Sequence, residues 1–416
     1  MVRRAWLVLI CSLGLVACTV QNPLYLPGQP TGLSPGAAGA SALANRKVAI
    51  LLPLSGPLAA VGQDMLQAAQ LVLQQPGSPS FQAYDTSGTP EGAAAAAGRA
   101  VAEGAGIILG PLTAADTGAA APIARKAEVP MLAFTNDETE ARPGVWVLGV
   151  TPSQQVRRLM ASLQSRGKTR LAALLPENGF GSAMQVAVQA AASTAGGPSP
   201  IIQTYTPDMA SLNEAVRQIS DYAGRRGPIE AQIRAARALD TPAGRARMNE
   251  LNRQPIPPPP FDALFLAATG TTLEEIAALL PYYDLNPGEV QVVGPILWQD
   301  PSVRRGAALA SAWFAAPDPS ARQQFAGAYA ARYGNSPPFL ADLAFDAAAL
   351  ARVLAAGPGY SVAALTNPAG FAGADGVLAL LPNGQVRRGL AVFQIEPGGG
   401  SNLLDPAPST LSGPGT

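Results

Sequence analysis

The residues that most often carry out catalysis are missing from this sequence or stand in the wrong context. The chain of 416 residues contains no histidine, which removes the usual general base, the Ser-His and Cys-His pairs and the commonest metal ligand. Ser165-Arg-Gly-Lys-Thr169 ends as a phosphate-binding loop does, but Ser162 stands where that loop requires glycine, and a strand pattern follows instead of a helix. We therefore expect a non-enzymatic protein with no catalytic residue, no cofactor and no metal site.

The polar residues that could instead bind a ligand follow apolar, strand-like runs. Thr113-Ala114-Ala115-Asp116 comes after GIILGP, where Thr113 is a natural helix N-cap and Asp116 would complete a capping box. The free amides and the dipole at such a helix end can hold a carboxylate or another anion. A plain cap without any ligand explains the same residues equally well.

Two further loops offer polar groups in the same position relative to a strand. Ser55 follows the run KVAILLP, and Thr135 and Asn136 follow VPMLAF. Ligands of open α/β folds bind outside the carboxyl ends of the strands, so we expect these residues and Thr113 to share one edge of a sheet.

The elements that must position these residues alternate between strand and helix patterns. Continuous apolar runs such as KVAILLP and LAALLP indicate strands buried on both faces of a parallel sheet. Thr151-Pro152 predicts a capped helix start, and Thr272 with Glu275 predicts a capping box that opens another helix. The repeated βαβ units predict an α/β fold of doubly wound parallel sheets.

Composition sets limits on the partners and on the size of the core. Lysine and arginine together number 28, as do aspartate and glutamate, so no bulk attraction to nucleic acid is expected. A hydrophobic content of 48% with only 13% charged residues indicates a large packed core. A chain of this length usually folds into more than one lobe.

The N-terminus carries the pattern of a secretion signal. Two arginines precede an apolar run at residues 5–15, which is too short to span a bilayer comfortably. The run ends in Leu15-Val16-Ala17-Cys18, which resembles the lipobox of bacterial lipoproteins and implies lipidation of Cys18 and anchoring to a membrane. An ordinary signal peptide with a chance cysteine is the alternative. Thr19, which is not acidic, favours the outer membrane by analogy.

Several segments, in the right order, resemble the type I periplasmic binding proteins, the family of the leucine/isoleucine/valine binders. Residues 48–73 are similar to the opening of that family, residues 106–134 to its second landmark, and residues 325–350 to a third, with Tyr-Gly-x-x-Pro before an Ala-Phe-Asp-Ala helix. The resemblance covers roughly residues 46–400. It implies two α/β lobes joined by three crossovers, with a ligand held in the cleft between them.

The resemblance also marks departures from the amino-acid binders. Phe180 matches the usual cleft aromatic residue, although core packing would explain it as well. In the amino-acid binders a carboxylate after a Gly-Pro pairs with the ligand ammonium, but Ile296 stands there in this chain and Asp300 follows four residues later. Free amino acids are therefore disfavoured ligands, because a desolvated ammonium without a partner costs several kcal/mol, on the order of a lost buried hydrogen bond or more. Trp298 could stack on a ring or sugar, or simply close the lobe.

A basic segment separates this chain from a nutrient receptor. Residues 224–260 contain seven arginines against three acidic residues, and the pattern predicts a helical insertion that ends in a proline run. With several flanking segments it resembles the penicillin-binding protein activator lipoproteins of alphaproteobacteria, which implies docking on a class A penicillin-binding protein. Arg234, Arg237, Arg245 and Arg247 are the predicted docking residues. A solvated amphipathic excursion is the alternative interpretation.

The predicted organisation combines these features. We expect a signal peptide at 1–17, the lipidated Cys18 and a tether to 45, a first lobe at 46–149 with 316–358, a second lobe at 150–315 with 359–400, and a disordered tail at 401–416. The predicted function is a lipid-anchored, periplasm-facing regulator of peptidoglycan synthesis. The alternative is the substrate-binding lipoprotein of an ABC transporter for branched-chain amino acids or another small solute.

Overall fold

The chain alternates strands and helices through most of its length. The computed structural model describes residues 47–286, 288–305 and 309–411. Its strands are β1 (Lys47–Leu52), β2 (Phe81–Asp85), β3 (Ala105–Leu109), β4 (Met131–Ala133), β5 (Val145–Val147), β6 (Leu171–Pro176), β7 (Ile201–Tyr205), β8 (Ala263–Leu266), β9 (Gln291–Gly294), β10 (Trp313–Ala316), β11 (Phe371–Gly373), β12 (Gly376–Leu380), β13 (Val386–Arg388), β14 (Ala391–Ile395) and β15 (Ser401–Asp405). Its helices are α1 (Ala59–Leu73), α2 (Pro90–Ala102), α3 (Ala114–Lys126), α4 (Pro152–Gln164), α5 (Gly179–Thr194), α6 (Met209–Ile219), α7 (Tyr222–Ala238), α8 (Pro242–Asn252), α9 (Gly270–Tyr282), α10 (Pro319–Tyr333), α11 (Ala341–Ala356) and α12 (Val362–Leu365).

The first sheet is entirely parallel, with the strand order β2-β1-β3-β4-β5. In β1 every residue after Lys47 is buried, as expected for a strand that is covered on both faces. Helices α2 and α3 pack on this sheet through small alanine side chains, and α11 lies along α1. The first lobe is therefore built from two stretches of sequence that are far apart in the chain.

The second sheet has the order β15-β14-β10-β9-β8-β6-β7. Its five strands from β10 to β7 are parallel to one another. At one edge of the sheet β14 pairs antiparallel with β10, and β15 pairs antiparallel with β14. One apolar cluster joins this sheet to α4 and α5, and another joins it to α6 and α9. The predicted α/β fold with two sheets, each covered by helices, is confirmed.

The chain passes between the two sheets after β5, after β10 and after α11. The last of these passages contains a small antiparallel sheet of β11, β12 and β13. The loop between β12 and β13 rests on β5, where the Trp146 indole donates to the Leu381 carbonyl at 2.7 Å. Gly384 in this loop has a φ of 88°, and a Cβ there would lie 2.3 Å from backbone atoms of Arg142 and Val145. Only glycine fits this approach.

One predicted segment is wrong. Residues 401–416 were expected to be disordered, yet Ser401–Asp405 form β15 and pair with β14. The Arg166 guanidinium holds Asp405 through an ion pair of 2.7 Å, and Arg158 donates to the Pro406 carbonyl at 2.9 Å. These contacts with α4 and with the turn that follows it are tertiary, so the glycine-rich and proline-rich composition around the strand concealed it.

The basic segment folds as a helical hairpin of α7 and α8. Ile229, Ile233 and Leu251 are buried in a small apolar core of its own, with Met248 and Ile256 packed against it. The predicted helical insertion is thus a folded unit of the second lobe.

Candidate functional site

The carboxyl edge of the first sheet gathers hydroxyl groups around one carboxylate. Asp85, at the end of β2, accepts hydrogen bonds from the backbone N–H groups of Leu54, Ser55 and Ser87, and its second oxygen accepts the Ser55 hydroxyl at 2.6 Å. Burial alone would raise the pKa of Asp85, but these donors outweigh it and lower the pKa. Ser55, a predicted cleft residue, is exposed at this edge, while Asp85 was missed although it ends a recognisable strand.

The start of α3 lies at the same edge of the sheet. Thr113 caps the helix, because its hydroxyl accepts the Asp116 N–H at 3.1 Å, and the predicted cap is confirmed. The predicted capping box is wrong, since both carboxylate oxygens of Asp116 are buried and neither has a hydrogen-bond partner. Aspartate is one methylene shorter than the glutamate or glutamine that closes such a box. Burial raises the pKa of Asp116. Ala114 and Ala115, which follow Thr113, have small side chains that do not cover the start of α3.

The two predicted residues in the loop after β4 lie in different surroundings. Thr135 is buried, and its hydroxyl accepts the Asp137 N–H at 3.1 Å. Its carbonyl accepts the Gly149 N–H at 3.0 Å, where a Cβ on Gly149 would come within 2.5 Å. Thr135 therefore fixes the first passage between the sheets, and Asn136, which is exposed, is the side chain that a ligand could reach.

Residues predicted on the second sheet lie mostly in its core. Trp298 is fully buried, and its indole donates to the Ala268 carbonyl at 2.9 Å, so its predicted place in the cleft is wrong and the lobe-closing interpretation holds. A Cβ on Gly294 would meet the indole at 2.5 Å, which shows why glycine precedes it. Phe180, in the first turn of α5, is half-buried and packs against the core.

The position where the sequence comparison leads one to look for a ligand-binding carboxylate, residue 296, is also buried. The Ile296 side chain is buried, and its N–H donates to the Gln155 Oε1 at 2.8 Å. Gln155 is buried and was missed by the sequence reasoning. Asp300 is exposed, but it caps a short turn by accepting the Ser302 N–H at 2.8 Å, and this contact helps to lower its pKa. Neither residue presents a free carboxylate at this edge.

A buried charge cluster lies where the chain returns from α11 to the second sheet. We call Asp342, Asp346, Asp375 and Arg388 the crossover cluster. Arg388 has no exposed side-chain surface, stands 3.7 Å from Asp346 and 3.8 Å from Asp375, and donates to the Leu148 carbonyl at 3.0 Å. It therefore ties α11, the small sheet and the first passage together.

The carboxylates of the crossover cluster outnumber its arginine. Burial, with the charge of Asp375 next, raises the pKa of Asp346 to about 7 despite Arg388. Burial and Asp375 likewise raise the pKa of Asp342 well above its usual range, although Arg322 pairs with it at 3.0 Å. No pattern along the sequence pointed to this cluster.

The basic hairpin separates its arginines by role. Arg225 is buried and donates to the carbonyls of Ser220, Pro257, Tyr283 and Asp284, so it anchors the hairpin to the second lobe. The predicted docking residues are all exposed: Arg234, Arg237, Arg245 and Arg247. Arg245 lies 3.6 Å from Asp240 and Arg247 lies 2.8 Å from Glu250, both at the surface.

The remaining predictions concern residues outside the described ranges, metal sites and membrane-spanning helices. Cys18, the signal peptide and the tether lie outside the described residues. Within residues 47–286, 288–305 and 309–411, no group of three or more acidic or cysteine side chains could hold a metal ion. In the same part of the chain no helix is long and apolar enough to cross a bilayer.

Comparison with known proteins adds family information. A family model described as periplasmic binding protein matches residues 46–400. Among solved structures, a protein from Rhodospirillum rubrum, classed by inference as a branched-chain amino acid ABC transporter, is 18% identical over 86% of this chain and 99% of its own, with a TM-score of 0.65. The leucine-binding protein LivK from Thermotoga maritima is 17% identical over 86% and 97%, with a TM-score of 0.53.

Full-length LpoA from Haemophilus influenzae is 16% identical, with a TM-score of 0.59, and the match covers 86% of this chain but 59% of LpoA. At such identities the likeness to each structure establishes the fold alone. Comparison with curated proteins gives no match.

Proposed function

Because this chain belongs to the periplasmic binding protein family, we propose that it regulates peptidoglycan synthesis by docking on a class A penicillin-binding protein. Family membership implies a periplasmic location and a binding role, since members are in general not enzymes. The observation that carries the proposal is the hairpin of α7 and α8, which is anchored at its base and exposes arginines at its surface.

The hairpin has the properties of a docking element. Its own apolar core and the four carbonyl contacts of Arg225 fix its position, so binding a partner would not require ordering of the hairpin. Arg234, Arg237, Arg245 and Arg247 project planar guanidinium groups that can pair bidentately with carboxylates on a partner. Their partners within the chain, where they exist, are surface carboxylates and, for Arg247, also the exposed Gln232 amide oxygen, and such surface pairs contribute little and exchange readily.

The predicted cleft supports regulation over amino-acid capture. The position that would supply a carboxylate for the ligand ammonium holds the buried Ile296, and Asp300 is occupied as a turn cap. A free amino acid would therefore lose the hydration of its ammonium without a charged replacement at this position. LpoA, a penicillin-binding protein activator, shares the fold over most of this chain.

A lipid anchor completes the proposal. The Leu15-Val16-Ala17-Cys18 motif supports lipidation of Cys18 and attachment to the periplasmic face of a membrane, with the outer membrane favoured. Replacing Cys18 with Ala should move the protein from the membrane fraction to the soluble periplasm. An unchanged membrane fraction would refute the anchor and leave the docking proposal standing.

The docking proposal is tested by charge reversal. Arg234, Arg237, Arg245 and Arg247 are changed together to Glu, and co-purification with the organism's class A penicillin-binding protein and stimulation of its activity are measured. We expect both to be lost, and we expect binding to the unaltered protein to weaken as salt rises, because screening acts over roughly 8–10 Å.

The matched control reverses four exposed basic residues outside the hairpin: Arg125, Lys126, Arg305 and Arg332. It carries the same number of charge reversals, so a loss in both variants would indicate bulk charge rather than docking through the hairpin. Full binding by the hairpin variant would contradict the proposal.

The alternative is a receptor that delivers a small solute to an ABC permease. It is favoured by the exposed Ser55 and Asn136 beside the open start of α3, and by the shared fold with LivK. Calorimetric titration with leucine, isoleucine and valine separates the two functions. We expect no binding tighter than about 0.1 mM, which corresponds to about −5.5 kcal/mol. Micromolar binding of any of the three would favour the receptor.

A further inference from the structure

Three tyrosines meet at the base of the hairpin. Tyr282, at the end of α9, packs edge-on against the buried Tyr283 with 5.0 Å between ring centroids. Tyr222, the first residue of α7, also packs edge-on against Tyr283, at 5.2 Å. The Tyr283 hydroxyl donates to the Asn213 Oδ1 at 2.6 Å, which fixes the central ring. We call Tyr222, Tyr282 and Tyr283 the tyrosine corner.

The tyrosine corner presents one ring to solvent. Tyr282 is 71% exposed, the largest exposed fraction among the large apolar side chains in the part of the chain that the structure describes. The corner is held in place, because Arg225 donates to the carbonyls of Tyr283 and Asp284 and so joins the start of α7 to the end of α9. An aromatic side chain held on a fixed base loses little freedom when a partner covers it, and tyrosine is enriched among the residues that dominate binding energy.

A row of charged residues runs from the tyrosine corner along α7. Arg226, Glu230 and Arg234 follow Tyr222 at intervals of four residues, and Arg237 comes three residues later. Residues three and four apart are neighbours on a helix surface, and these five lie within about 120° of its circumference. We call Arg226, Glu230, Arg234 and Arg237 the α7 row. Three arginines against one glutamate leave it positive.

Arg226 lies where the corner and the row meet. Burial raises the pKa of the Tyr222 hydroxyl, and the charges of Asp284 and Arg226 act on the same hydroxyl, so Arg226 lies near this ring. The Arg226 Nε is buried without a hydrogen-bond partner, and its ion pair with Glu230 is long, at 3.7 Å. A buried donor in this state gains from an acceptor that approaches it. The junction therefore favours a carboxylate beside an apolar ring.

We propose that the tyrosine corner and the α7 row together bind an extended acidic segment of a partner protein that carries an aromatic residue at one end. The proposal rests on the docking function and names the chemistry of the segment that the hairpin recognises. With a rise of 1.5 Å per residue, Tyr222 and Arg237 are about 22 Å apart along the helix axis. An extended chain of about seven residues covers that distance.

Each part of the segment has a partner on the hairpin. Its aromatic ring packs on the exposed Tyr282, because aromatic pairs prefer edge-to-face or offset arrangements. Its carboxylates pair with Arg226 next to the corner and with the exposed Arg234 and Arg237 farther along α7. The ring supplies apolar contact that does not weaken with salt, and the arginines supply contacts that do. Charge alone therefore does not account for recognition.

Synthetic peptides of about seven residues, each made in both sequence orders, test this chemistry on the full-length protein. One peptide has Trp at one end and Asp and Glu elsewhere, a second replaces the Trp with Ala, and a third replaces the acids with Asn and Gln. Fluorescence anisotropy measures the dissociation constants. We expect the first peptide to bind tighter than either of the others by about fivefold or more. Equal binding of the first two peptides would overturn the proposal.

Variants assign the binding to the corner and the row. Tyr282→Ala and Arg237→Gln should each weaken binding of the first peptide by about fivefold or more, whereas Tyr282→Phe, which keeps the ring, should bind normally. Phe339→Ala and Arg332→Gln remove an exposed ring and an exposed charge outside the hairpin and should have no effect. Because both altered hairpin residues are exposed, thermal unfolding should be unchanged. Unchanged affinity in Tyr282→Ala would contradict the proposal.

Co-purification with the class A penicillin-binding protein separates this inference from the docking proposal. Loss of co-purification in Tyr282→Ala supports both. Normal co-purification of Tyr282→Ala, with loss in the variant that reverses four hairpin arginines, overturns the inference and leaves docking standing. Peptide binding as expected, without any binding of the penicillin-binding protein, overturns that partner and keeps the recognised chemistry. Binding of an N-acetylglucosamine oligosaccharide that Tyr282→Ala abolishes, with no binding of the first peptide, would assign the corner to a glycan instead and overturn the inference.

Discussion

The crossover cluster and the basic hairpin both concentrate charge, but they use it in opposite ways. In the crossover cluster Arg388 and three carboxylates are removed from solvent and held by one another and by backbone groups. In the hairpin five of the seven arginines are exposed, Arg226 is half-buried, and Arg225 is buried as an anchor. The first set is therefore enclosed by the fold, whereas most of the second set stays accessible to solvent.

Removing the cation of the crossover cluster should have the largest effect. Arg388→Met leaves buried carboxylates without their positive neighbour and the Leu148 carbonyl without its donor. We expect the free energy of unfolding at pH 7.5 to fall by about 3–5 kcal/mol, measured by urea denaturation. Arg387→Met, at the exposed neighbouring position, should cost less than about 1 kcal/mol. Equal losses in the two variants would erase the contrast between buried and exposed charge.

Arg225 tests whether the hairpin depends on its anchor. Arg225→Met removes the donors to four carbonyls, and buried acceptors left without partners cost about 1–3 kcal/mol each when water cannot replace the donor. Because water can reach part of this site, we expect a total loss of about 3 kcal/mol and faster proteolysis within residues 224–260. Arg234→Met, on the exposed face, is the control and should change neither measurement.

The pH dependence of stability should report on the crossover cluster. The pKa of Asp346 is about 7 in the folded protein, against 3.8 for an unperturbed aspartate. Below pH 4 both states are protonated. Between pH 4 and 7 the unfolded chain releases this proton while the folded protein retains it, so stability falls with rising pH by up to about 1.4 kcal/mol per unit. From pH 5 to 7 the expected loss is about 2–3 kcal/mol.

Asp346→Asn provides the matched measurement. Its side chain cannot ionise, yet an amide oxygen can still accept the Ala374 N–H. Urea denaturation at a series of pH values should therefore show a flatter profile for this variant than for the unaltered protein. A profile as steep as the original would assign the pH dependence to other groups, of which buried Asp342 is the nearest candidate.

Local patterns predicted the framework well. The apolar runs that became β1 and β6 were identified, and Thr151 with Pro152 opens α4 through a capping box with Gln154. The prediction of a helix-capping box at Thr272 and Glu275 is wrong, because α9 begins at Gly270, with Thr269 as the residue before it. Local sequence signals therefore located the helices and strands reliably, but they located the ends of these elements less reliably.

The site residues were harder to predict because tertiary contacts decide their roles. Trp298 has the composition of a ligand-stacking residue, but Gly294 and the Ala268 carbonyl draw it into the core. Asp346, Asp375 and Arg388 meet only because α11 and the small sheet pack together, and no spacing along the chain encodes that contact. Exposure of the hairpin arginines was predictable, since charged residues at such density could not all be buried.

The smallest expected effect is on the stability of the hairpin variant with Arg234, Arg237, Arg245 and Arg247 changed to Glu. It removes the Arg245–Asp240 and Arg247–Glu250 pairs, whose carboxylates are 97% and 70% exposed, and exposed pairs contribute about 0–1 kcal/mol. Thermal and urea unfolding should therefore place it within about 1 kcal/mol of the unaltered protein. A much larger loss would mean that these arginines support the core formed by Ile229, Ile233 and Leu251. Preserved stability together with lost binding of the penicillin-binding protein would instead show that the exposed charges serve recognition and the buried ones serve the fold.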